Sequence, residues 1–386
     1  MTTTRHRPDQ SPKGVQAICL PNGSFRECFI TVPAVGRETP AHLMRRLQAY
    51  LVARPKLRIA RQDVFGQDTD PRAATSHGSP WVARGDWPVT WVGQGNGGGC
   101  PVAGVQVHAV SGIDVTPLRL GEQPVGAVYE DEYTRYCELG GLQPRSVNKS
   151  RIHQASEIMG LMEECLGLAG MTFANVFRTW FYLHDILDWY DDFNRVRNAF
   201  FRRRRVYEGL VPASTGVGGS NPMGAAVVAN LMAIQAKSPA VRLDPVPSPL
   251  QCPALKYGSA FNRAVELILP TQRRLYVSGT ASIGPDGRTA HVDDVDGQVA
   301  LTMQVVEAIL QSRGMGWGDV TRAIGYFKHA EEAPAFKRYC RKHKLPPLPT
   351  IIAKNDICRD DLLFEIEVDA VRLTRSGAAP RKGAAA

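Results

Sequence analysis

The chain has 386 residues, of which 44% are hydrophobic and 22% are charged. This length exceeds what one typical core needs and favours two domains, and the composition is that of a globular protein rather than a disordered or fibrous one. The formal net charge of +9 indicates anionic partners, either nucleic acid or small acidic substrates.

The distribution of cysteine, apolar and basic residues narrows these options. The eight cysteines show no Cys-x-x-Cys pair or metal spacing, so the sequence predicts neither a disulfide framework nor a zinc site. No apolar run is long enough to cross a bilayer, and no secretion signal is expected. We therefore expect a cytoplasmic protein with reduced thiols, no metal, no cofactor and no membrane partner. The basic segments Arg202–Arg205 and Arg372–Lys382 lack interleaved aromatic residues, so a nucleic-acid partner is not expected.

The N-terminal part of the chain begins with residues 1–13, which are predicted to be a disordered tail. Alternating or helically spaced apolar residues then predict a strand, a helix and a strand: Cys28–Val32, His42–Val52 and Leu57–Val64. Gln67–Gly98 is rich in Gly, Pro, Asp and Ser, which favours a long irregular connection. Val105–Val110 is a further predicted strand, and it ends at Ser111-Gly112.

An internal repeat organises the remainder of the chain. Asn175–Leu183 aligns with Asp319–Phe327, and Arg178 then lies opposite Arg322. Each copy is predicted to contain strand, strand, helix, strand, helix and strand. The paired segments are the strands ending at Ser111-Gly112 and Ser278-Gly279, the helices Ile158–Ala169 and Val299–Gln311, and the strand regions Val211–Ile234 and Leu348–Val371. Asp244–Pro253, with four prolines, is the predicted linker between the copies.

The last strand region carries a candidate acid. From Leu362 onward, apolar residues alternate with Glu365, Glu367 and Asp369, which is the period of a half-covered strand. The carboxylates therefore share one face, and a carboxyl group at a packed junction would have a raised pKa. The alternative is a solvated outer face, because charged residues are mostly exposed.

The N-terminal copy of the repeat is predicted to lack this acid. Aligning Thr350 with Ser214 places Ala229 opposite Glu365 and Leu231 opposite Glu367. One working cleft per chain is therefore expected.

The C-terminal copy resembles the Rid (YjgF) family in Tyr276–Gly279, Arg322–Tyr326 and Phe364–Glu367. That resemblance implies clefts at the interfaces between adjacent copies. It also implies an imine deaminase that holds the substrate carboxylate with an Arg at the head of the last strand region. This chain has Thr350 at that position, which argues against that reaction.

Over residues 15–372 the chain resembles the chorismatase family, in which two fused Rid-like units cleave the enolpyruvyl ether of chorismate. The segments that carry the resemblance are Tyr129–Cys137, Arg178–Tyr190, Ser248–Arg263, Val277–Ser282 and Cys358–Glu365. The resemblance implies an α+β fold with two tandem Rid/YjgF-like (chorismate-mutase-like) domains, each a mixed β-sheet with helices on one face. Their expected bounds are 14–240 and 241–373, with the catalytic Glu in the second, followed by a disordered tail at 374–386.

The chemistry of chorismate selects the candidate site residues. A dianion needs at least two cationic or multi-donor anchors, and cleavage of an enol ether needs a carboxyl group that can deliver a proton. Glu365 is the candidate acid. The candidate substrate-binding residues are Arg263, Tyr257, Arg178, Arg135 and Tyr136. For Arg178 the alternative is a structural ion pair, because Arg322 occupies the same place in the other copy.

Cys358 is the second candidate catalytic residue. The resemblance implies that a Cys here accompanies the branch that forms 3-hydroxybenzoate rather than the branch that stops at a dihydroxycyclohexadiene carboxylate. The alternative is that it is a buried small hydrophobe.

The expected function is cleavage of chorismate to pyruvate and 3-hydroxybenzoate, with 4-hydroxybenzoate or the dihydroxycyclohexadiene carboxylate as further products. The expected assembly is a monomer with a pseudo-symmetric pair of domains. Two alternatives remain open at this point: a Rid-type imine or enamine deaminase, and a non-enzymatic scaffold that binds small acids.

Overall fold

The structure, a computed structural model, describes residues 14–36, 38–66, 85–93, 102–257 and 259–374. The predicted tail at 1–13 and residues 375–386 of the second predicted tail lie outside the described residues. The described part contains three mixed sheets with helices, which confirms the α+β class. Within it, no helix is both long and apolar enough to cross a membrane.

The first sheet lies in the N-terminal part of the chain, in the order β1-β2-β5-β3-β4. Its strands are β1 (Gln16–Asn22), β2 (Phe25–Pro33), β3 (Arg58–Gly66), β4 (Val89–Val92) and β5 (Val102–Ser111). Helix α1 (Pro40–Val52) begins where the Thr39 hydroxyl accepts a hydrogen bond from the His42 backbone N–H. It buries Leu43 and Leu47 in the core of this sheet. Strand β4 lies inside the segment predicted to be an irregular connection, so that prediction was wrong at this point.

The second sheet has the order β10-β9-β11-β8-β7-β6. Its strands are β6 (Thr116–Leu120), β7 (Gln123–Glu130), β8 (Thr134–Leu142), β9 (Val176–Leu183), β10 (Ala213–Gly218) and β11 (Val227–Ala236). Helices α2 (Arg151–Leu168) and α3 (Ile186–Arg203) bury most of their apolar side chains in the core of this sheet.

The third sheet has the order β12-β13-β14-β17-β15-β16, which is the order of the second sheet read from the other edge. Its strands are β12 (Arg242–Val246), β13 (Ala264–Ile268), β14 (Gln272–Ala281), β15 (Val320–Phe327), β16 (Thr350–Lys354) and β17 (Phe364–Leu373). Helices α4 (Val295–Ser312) and α5 (Pro334–Lys342) accompany it. Strand β12 begins before the predicted linker at Asp244–Pro253 and runs into it, so the first part of that segment is paired with β13.

The first sheet is a third copy of the same arrangement, where the sequence predicted only two. Its order β4-β3-β5-β2-β1 matches β16-β15-β17-β14-β13, and the matching pairs run in the same relative directions. The segment 14–240 therefore contains two sheets. The strand that ends at Ser111 belongs to the first sheet. In the second sheet the equivalent of β14 is β8, whereas the sequence analysis had assigned that place to the strand ending at Ser111. The division into domains at 240/241 stays a prediction.

Equivalent residues of the three sheets meet near a common centre. The Phe65 ring lies 6.4 Å from the ring of Tyr182 and 6.4 Å from that of Tyr326. Three equivalent arginines also surround one indole, since Arg178, Arg61 and Arg322 lie 4.3, 4.4 and 5.4 Å from the Trp180 ring. The described chain is thus pseudo-threefold in its core.

A buried chain of charged residues also joins the three sheets. Arg274 of the third sheet pairs with Glu27 of the first, and His108 Nδ1 lies 2.5 Å from Glu138 Oε1 of the second. Burial alone would lower the pKa of His108, but the carboxylates of Glu138 and Glu27 outweigh it and raise that pKa to about 9. The contribution of this group to stability is therefore fully present below its ordinary pKa and is lost as the pH rises through about 9.

The first sheet also contains a disulfide that the sequence analysis did not predict. Cys19 of β1 and Cys28 of β2 are directly paired across the two strands, with a Cα–Cα distance of 4.1 Å. The hairpin register brings them together, and sequence spacing alone does not reveal that register. The expectation of reduced thiols was therefore wrong for this pair.

Candidate active site

A cavity of about 430 Å³ lies at the seam between the second and third sheets. The third sheet and its loops line it with Ser259, Phe261, Arg263, Gly279, Ala281, Ile283, Cys358, Arg359, Leu362 and Glu365. Helix α3 of the second sheet lines it with Tyr190, Asp191, Asn194, Arg195 and Asn198. Three of the residues predicted from the sequence, Glu365, Cys358 and Arg263, are therefore brought together here.

Direct hydrogen bonds between β10 and β14 close this seam. The Ser214 N–H donates to Ser278 Oγ at 2.9 Å, and the Gly279 N–H donates to Thr215 Oγ1 at 3.0 Å. Because backbone groups of both strands take part, the two walls of the cavity are held in a fixed relation.

Glu365 lies on β17, whose apolar residues on the other face pack into the core beneath α4. Its side chain faces the cavity but is only 4% exposed. Burial, helped by the charge of Glu367, raises the pKa of Glu365 to about 8, against the opposing effects of Arg178 and Arg263. The carboxyl group therefore holds its proton at neutral pH, and the alternative of a solvated outer face does not describe it.

Gly279 provides the space that the Glu365 carboxyl group occupies. A Cβ atom at position 279 would overlap Glu365 Oε1 and would also lie 3.1 Å from Thr215 Cγ2. The absence of a side chain at this position thus leaves room for the Glu365 carboxyl group.

Glu367 has a different environment from Glu365, although the two residues share one face of β17. It is fully buried, and its carboxylate accepts hydrogen bonds from Arg178 Nη2 at 2.9 Å and from Arg322 Nη2 at 2.6 Å. The Trp180 indole N–H also donates to it, at 2.8 Å. Burial would raise the pKa of Glu367, but the two guanidinium groups lower it below its usual value. Glu367 is therefore the ionised partner of two arginines.

Arg178 lies behind the cavity wall rather than in it. Its side chain is 0% exposed, and its guanidinium group binds Glu367 and donates to Thr215 Oγ1 at 2.8 Å. This is the structural ion pair that the sequence analysis left open as the alternative. The structure does not bring Arg178 into contact with the cavity.

Arg263 lines the cavity and is only 4% exposed. Its Nε and Nη2 donate to the Cys252 carbonyl oxygen at 3.1 and 2.9 Å, and its guanidinium group lies 5.6 Å from the Phe261 ring. These contacts fix the orientation of a planar cation at the cavity wall, with its Nε and Nη2 groups already donating to a backbone carbonyl.

The Cys358 side chain also lines the cavity and packs beside Ile357 and Leu362. Burial, with the nearby Glu365 charge, raises the pKa of its thiol to about 12. The thiol is therefore neutral and poorly suited to act as a nucleophile, but it can shape the wall that a ring would contact.

The structure does not bring the remaining predicted substrate-binding residues to this cavity. Arg135 pairs with Glu130 at the surface, at 3.2 Å. Tyr136 is buried among the three sheets, with its ring stacked 4.9 Å from that of Tyr129. Both lie on β8, away from the seam that α3 and β10 form with the third sheet. The side chain of Tyr257 lies outside the described residues.

Helix α3 supplies the cavity residues that the sequence analysis missed. In the sequence analysis Tyr190 appears only as the end of the segment Arg178–Tyr190, and the polar positions after it were not singled out. The helix is kinked at Trp189, whose φ and ψ are −151° and 17°, directly before Tyr190. The polar positions 190, 191, 194, 195 and 198 follow helical spacing, which is a recognisable signal, but the same pattern is typical of a solvent-exposed face.

The acid occurs once among the three equivalent positions. Glu365 pairs with Tyr326, Val228 pairs with the equivalent Tyr182, and Gly104 pairs with the equivalent Phe65. The prediction that Ala229 is equivalent to Glu365 was wrong by one residue, because the connection from β10 to β11 is one residue shorter than that from β16 to β17.

The same shift applies to the second carboxylate. Asn230, which pairs with Trp180, is the equivalent of Glu367, which pairs with Ile324. The sequence analysis had assigned Leu231 to that place.

Among the described residues, no group of three His, Cys, Asp or Glu side chains is placed to hold a metal ion.

Comparisons with known proteins show which proteins this chain is similar to. Residues 254–372, which form most of the third sheet, match the family described as Endoribonuclease L-PSP. A 3-hydroxybenzoate synthase of Streptomyces hygroscopicus is 27% identical over 222 residues, which cover 50% of this chain and 63% of that protein. A chorismatase of Streptomyces hygroscopicus is 27% identical over 213 residues, covering 49% and 60%.

The chain spans less than two thirds of the length of these curated relatives. The fold is similar over a larger range: a crystal structure of a chorismatase covers 81% of this chain and 92% of its own, with a TM-score of 0.59 and 21% identity. These similarities confirm the resemblance predicted from the sequence: the chain is similar to chorismatase and 3-hydroxybenzoate synthase, and its C-terminal part resembles a Rid/YjgF-like domain.

Proposed function

We propose that this protein cleaves the enolpyruvyl ether of chorismate, releasing pyruvate and leaving 3-hydroxybenzoate as the main aromatic product. The observation that supports this most is the buried Glu365 carboxyl group, which keeps its proton at neutral pH and faces a cavity that Arg263 also lines. In this proposal Glu365 donates its proton to the methylene carbon of the enol ether. Positive charge then develops at the ether-bearing carbon, and water adds there before the arm leaves as pyruvate.

The positive charge around the cavity supports binding of a dianion. Three arginines, Arg263, Arg195 and Arg359, line it, against one acidic residue besides Glu365, which is Asp191. Guanidinium groups bind carboxylates bidentately, so Arg263 is proposed to hold one carboxylate of the substrate. Cys358 is proposed to contact the ring and to favour loss of water from it, which completes the aromatic product.

The protonation state of Glu365 predicts how the rate depends on pH. A general acid with a pKa near 8 is active while it holds its proton, so kcat/KM should be flat around neutral pH and fall by about tenfold per unit above about pH 8. Initial rates of pyruvate release, followed from about pH 6 to about pH 10, measure this. A rate that keeps rising to the alkaline end would contradict the assignment of Glu365 as the proton donor.

Substitution of Gly279 tests whether the position of the acid matters. Gly279→Ala should lower pyruvate release by about 100-fold. The added methyl group would overlap Glu365 Oε1, so the carboxyl group would have to move away from its position at the cavity. Gly160→Ala is the matched control, since a Cβ atom there meets no neighbouring atom within 4 Å. Equal rates for the two variants would show that the placement of Glu365 is not critical.

The imine deaminase remains the main alternative, but the chain has no Arg at the head of the last strand region, where that reaction would need one. Thr350 lies on β16, next to Ile351, which packs against Gly104 of the first sheet. The equivalent position at the seam beside the cavity is Ser214, so neither place holds the required Arg. Ammonia release from an amino-acid-derived imine, without pyruvate from chorismate, would favour the deaminase. Binding of chorismate without turnover would favour a scaffold.

A further inference from the structure

The α3 wall of the cavity carries two asparagines one helical turn apart, Asn194 and Asn198. Each amide oxygen already accepts a hydrogen bond from a residue of the protein. Arg197 Nη2 donates to Asn194 Oδ1 at 2.7 Å, and the Tyr207 hydroxyl donates to Asn198 Oδ1 at 2.9 Å. The two side chains are thus held from the side of the protein.

These contacts decide which end of the Asn194 amide can meet a ligand. A guanidinium group can only donate hydrogen bonds, so the amide oxygen of Asn194 must be the atom that faces Arg197. Turning the amide over would place two donors against each other. Arg197 is only 1% exposed, so solvent does not relieve such a conflict. The Nδ2 group of Asn194 is therefore the end available for a ligand in the cavity.

The wall formed by α3 is consequently rich in donors. Asn194 contributes an amide N–H group, and Arg195, which pairs with Asp192, contributes a guanidinium group, while Asp191 is the acidic residue of the same wall. A carboxylate offers only acceptor atoms and a negative charge, whereas a hydroxyl group also has a proton to donate. A carboxylate is therefore the group that matches this wall best.

We infer that the α3 wall is the second carboxylate site of the cavity, with Asn194 donating to one substrate carboxylate while Arg263 binds the other. Arg197 is a positioning residue that acts through Asn194 and does not itself line the cavity. This inference rests on the proposed function, since it assigns a place to the second charge of the dianion.

The repeat supports a specific role for this group of side chains. When Phe193 is aligned with Phe336, the places of Asn194, Arg197 and Asn198 on α3 are taken on α5 by Lys337, Cys340 and Arg341. The buried arginine and its asparagine partner are thus absent from the equivalent helix, so the general packing of this fold does not require them.

The test measures binding of chorismate by calorimetry in a Glu365→Gln background, where turnover does not interfere. Asn194→Asp keeps the shape of the side chain and its contact with Arg197 but turns an acceptor and a negative charge towards the ligand. We expect it to weaken the binding of chorismate by about tenfold to a hundredfold. Asn148→Asp, at an exposed position outside the cavity, adds the same charge and is expected to leave the affinity unchanged.

Neutral variants separate the loss of a donor from the added charge. Asn194→Leu should weaken binding by about tenfold. Arg197→Met should have a similar effect, because it frees the amide to rotate, whereas Arg197→Lys still donates to Asn194 Oδ1 and should restore most of the affinity. Affinities for Asn194→Asp and Asn194→Leu that equal that of the unsubstituted background would overturn the inference.

The unsubstituted protein separates failure of this inference from failure of the proposed function. If it releases pyruvate from chorismate while the Asn194 variants bind chorismate normally, only the carboxylate site on α3 is wrong. If it neither cleaves nor binds chorismate, the proposed function is wrong and the inference falls with it.

Discussion

Replacing Glu365 by Gln should lower pyruvate release from chorismate by about 100- to 10,000-fold, which is the usual contribution of general acid catalysis. The amide has nearly the same shape but no proton that it can transfer to carbon. The fold should be retained, because the site that favours the neutral carboxyl group at neutral pH also accepts a neutral amide. Steady-state rates and thermal unfolding curves measure the two effects separately.

A carboxylate-to-amide change outside the cavity is the appropriate control. Glu163 lies on α2, is partly exposed and forms an ion pair with Arg204. Glu163→Gln removes this ion pair and should leave turnover unchanged. If Glu365→Gln released pyruvate as fast as this control, another group would have to supply the proton. The proposed mechanism would then be wrong even if chorismate were the substrate.

Replacing Glu367 by Gln should lower the free energy of unfolding by about 3–5 kcal/mol, which is the usual cost of removing one partner of a buried ion pair. The variant leaves Arg178 and Arg322 fully or almost fully buried without their shared carboxylate. The Trp180 indole keeps an acceptor in the amide oxygen, so the loss is mainly electrostatic. Denaturant unfolding followed by fluorescence measures it.

An exposed ion pair provides the matched control for Glu367. Asp296→Asn removes the partner of Arg338, and both of those side chains are at least half exposed. Such pairs contribute between about 0 and 1 kcal/mol, so this variant should unfold almost like the unsubstituted protein. Equal stabilities for the two variants would mean that the pair of arginines does not depend on Glu367.

Local patterns predicted a large part of the fold because they depend on nearby residues. Alternation along β17 placed Glu365 and Glu367 on one face, and the shared spacing around Arg178 and Arg322 revealed the second and third sheets as copies. The first sheet was missed as a copy because no comparable run of matching residues connects it to the others. Its strand order shows the relationship, and strand order depends on pairings between distant segments.

The functional roles were harder to predict for the same reason. A buried Arg needs a partner, but the sequence does not say whether that partner is a ligand or a carboxylate far along the chain. In the structure Arg178 binds Glu367, whereas Arg263 lines the cavity. The polar positions on α3 resembled a solvent-exposed face, because the third sheet that forms the opposite side of the cavity folds from a later part of the chain.

The single acid among three equivalent positions has a consequence for how such a protein can diversify. In a ring of three identical chains, every substitution is made at all three junctions at once. Here Gly104, Val228 and Glu365 belong to one polypeptide, so each junction can change without the others. One junction can therefore specialise in chemistry while the other two maintain the architecture, and calorimetric titration should give one bound substrate molecule per chain rather than three.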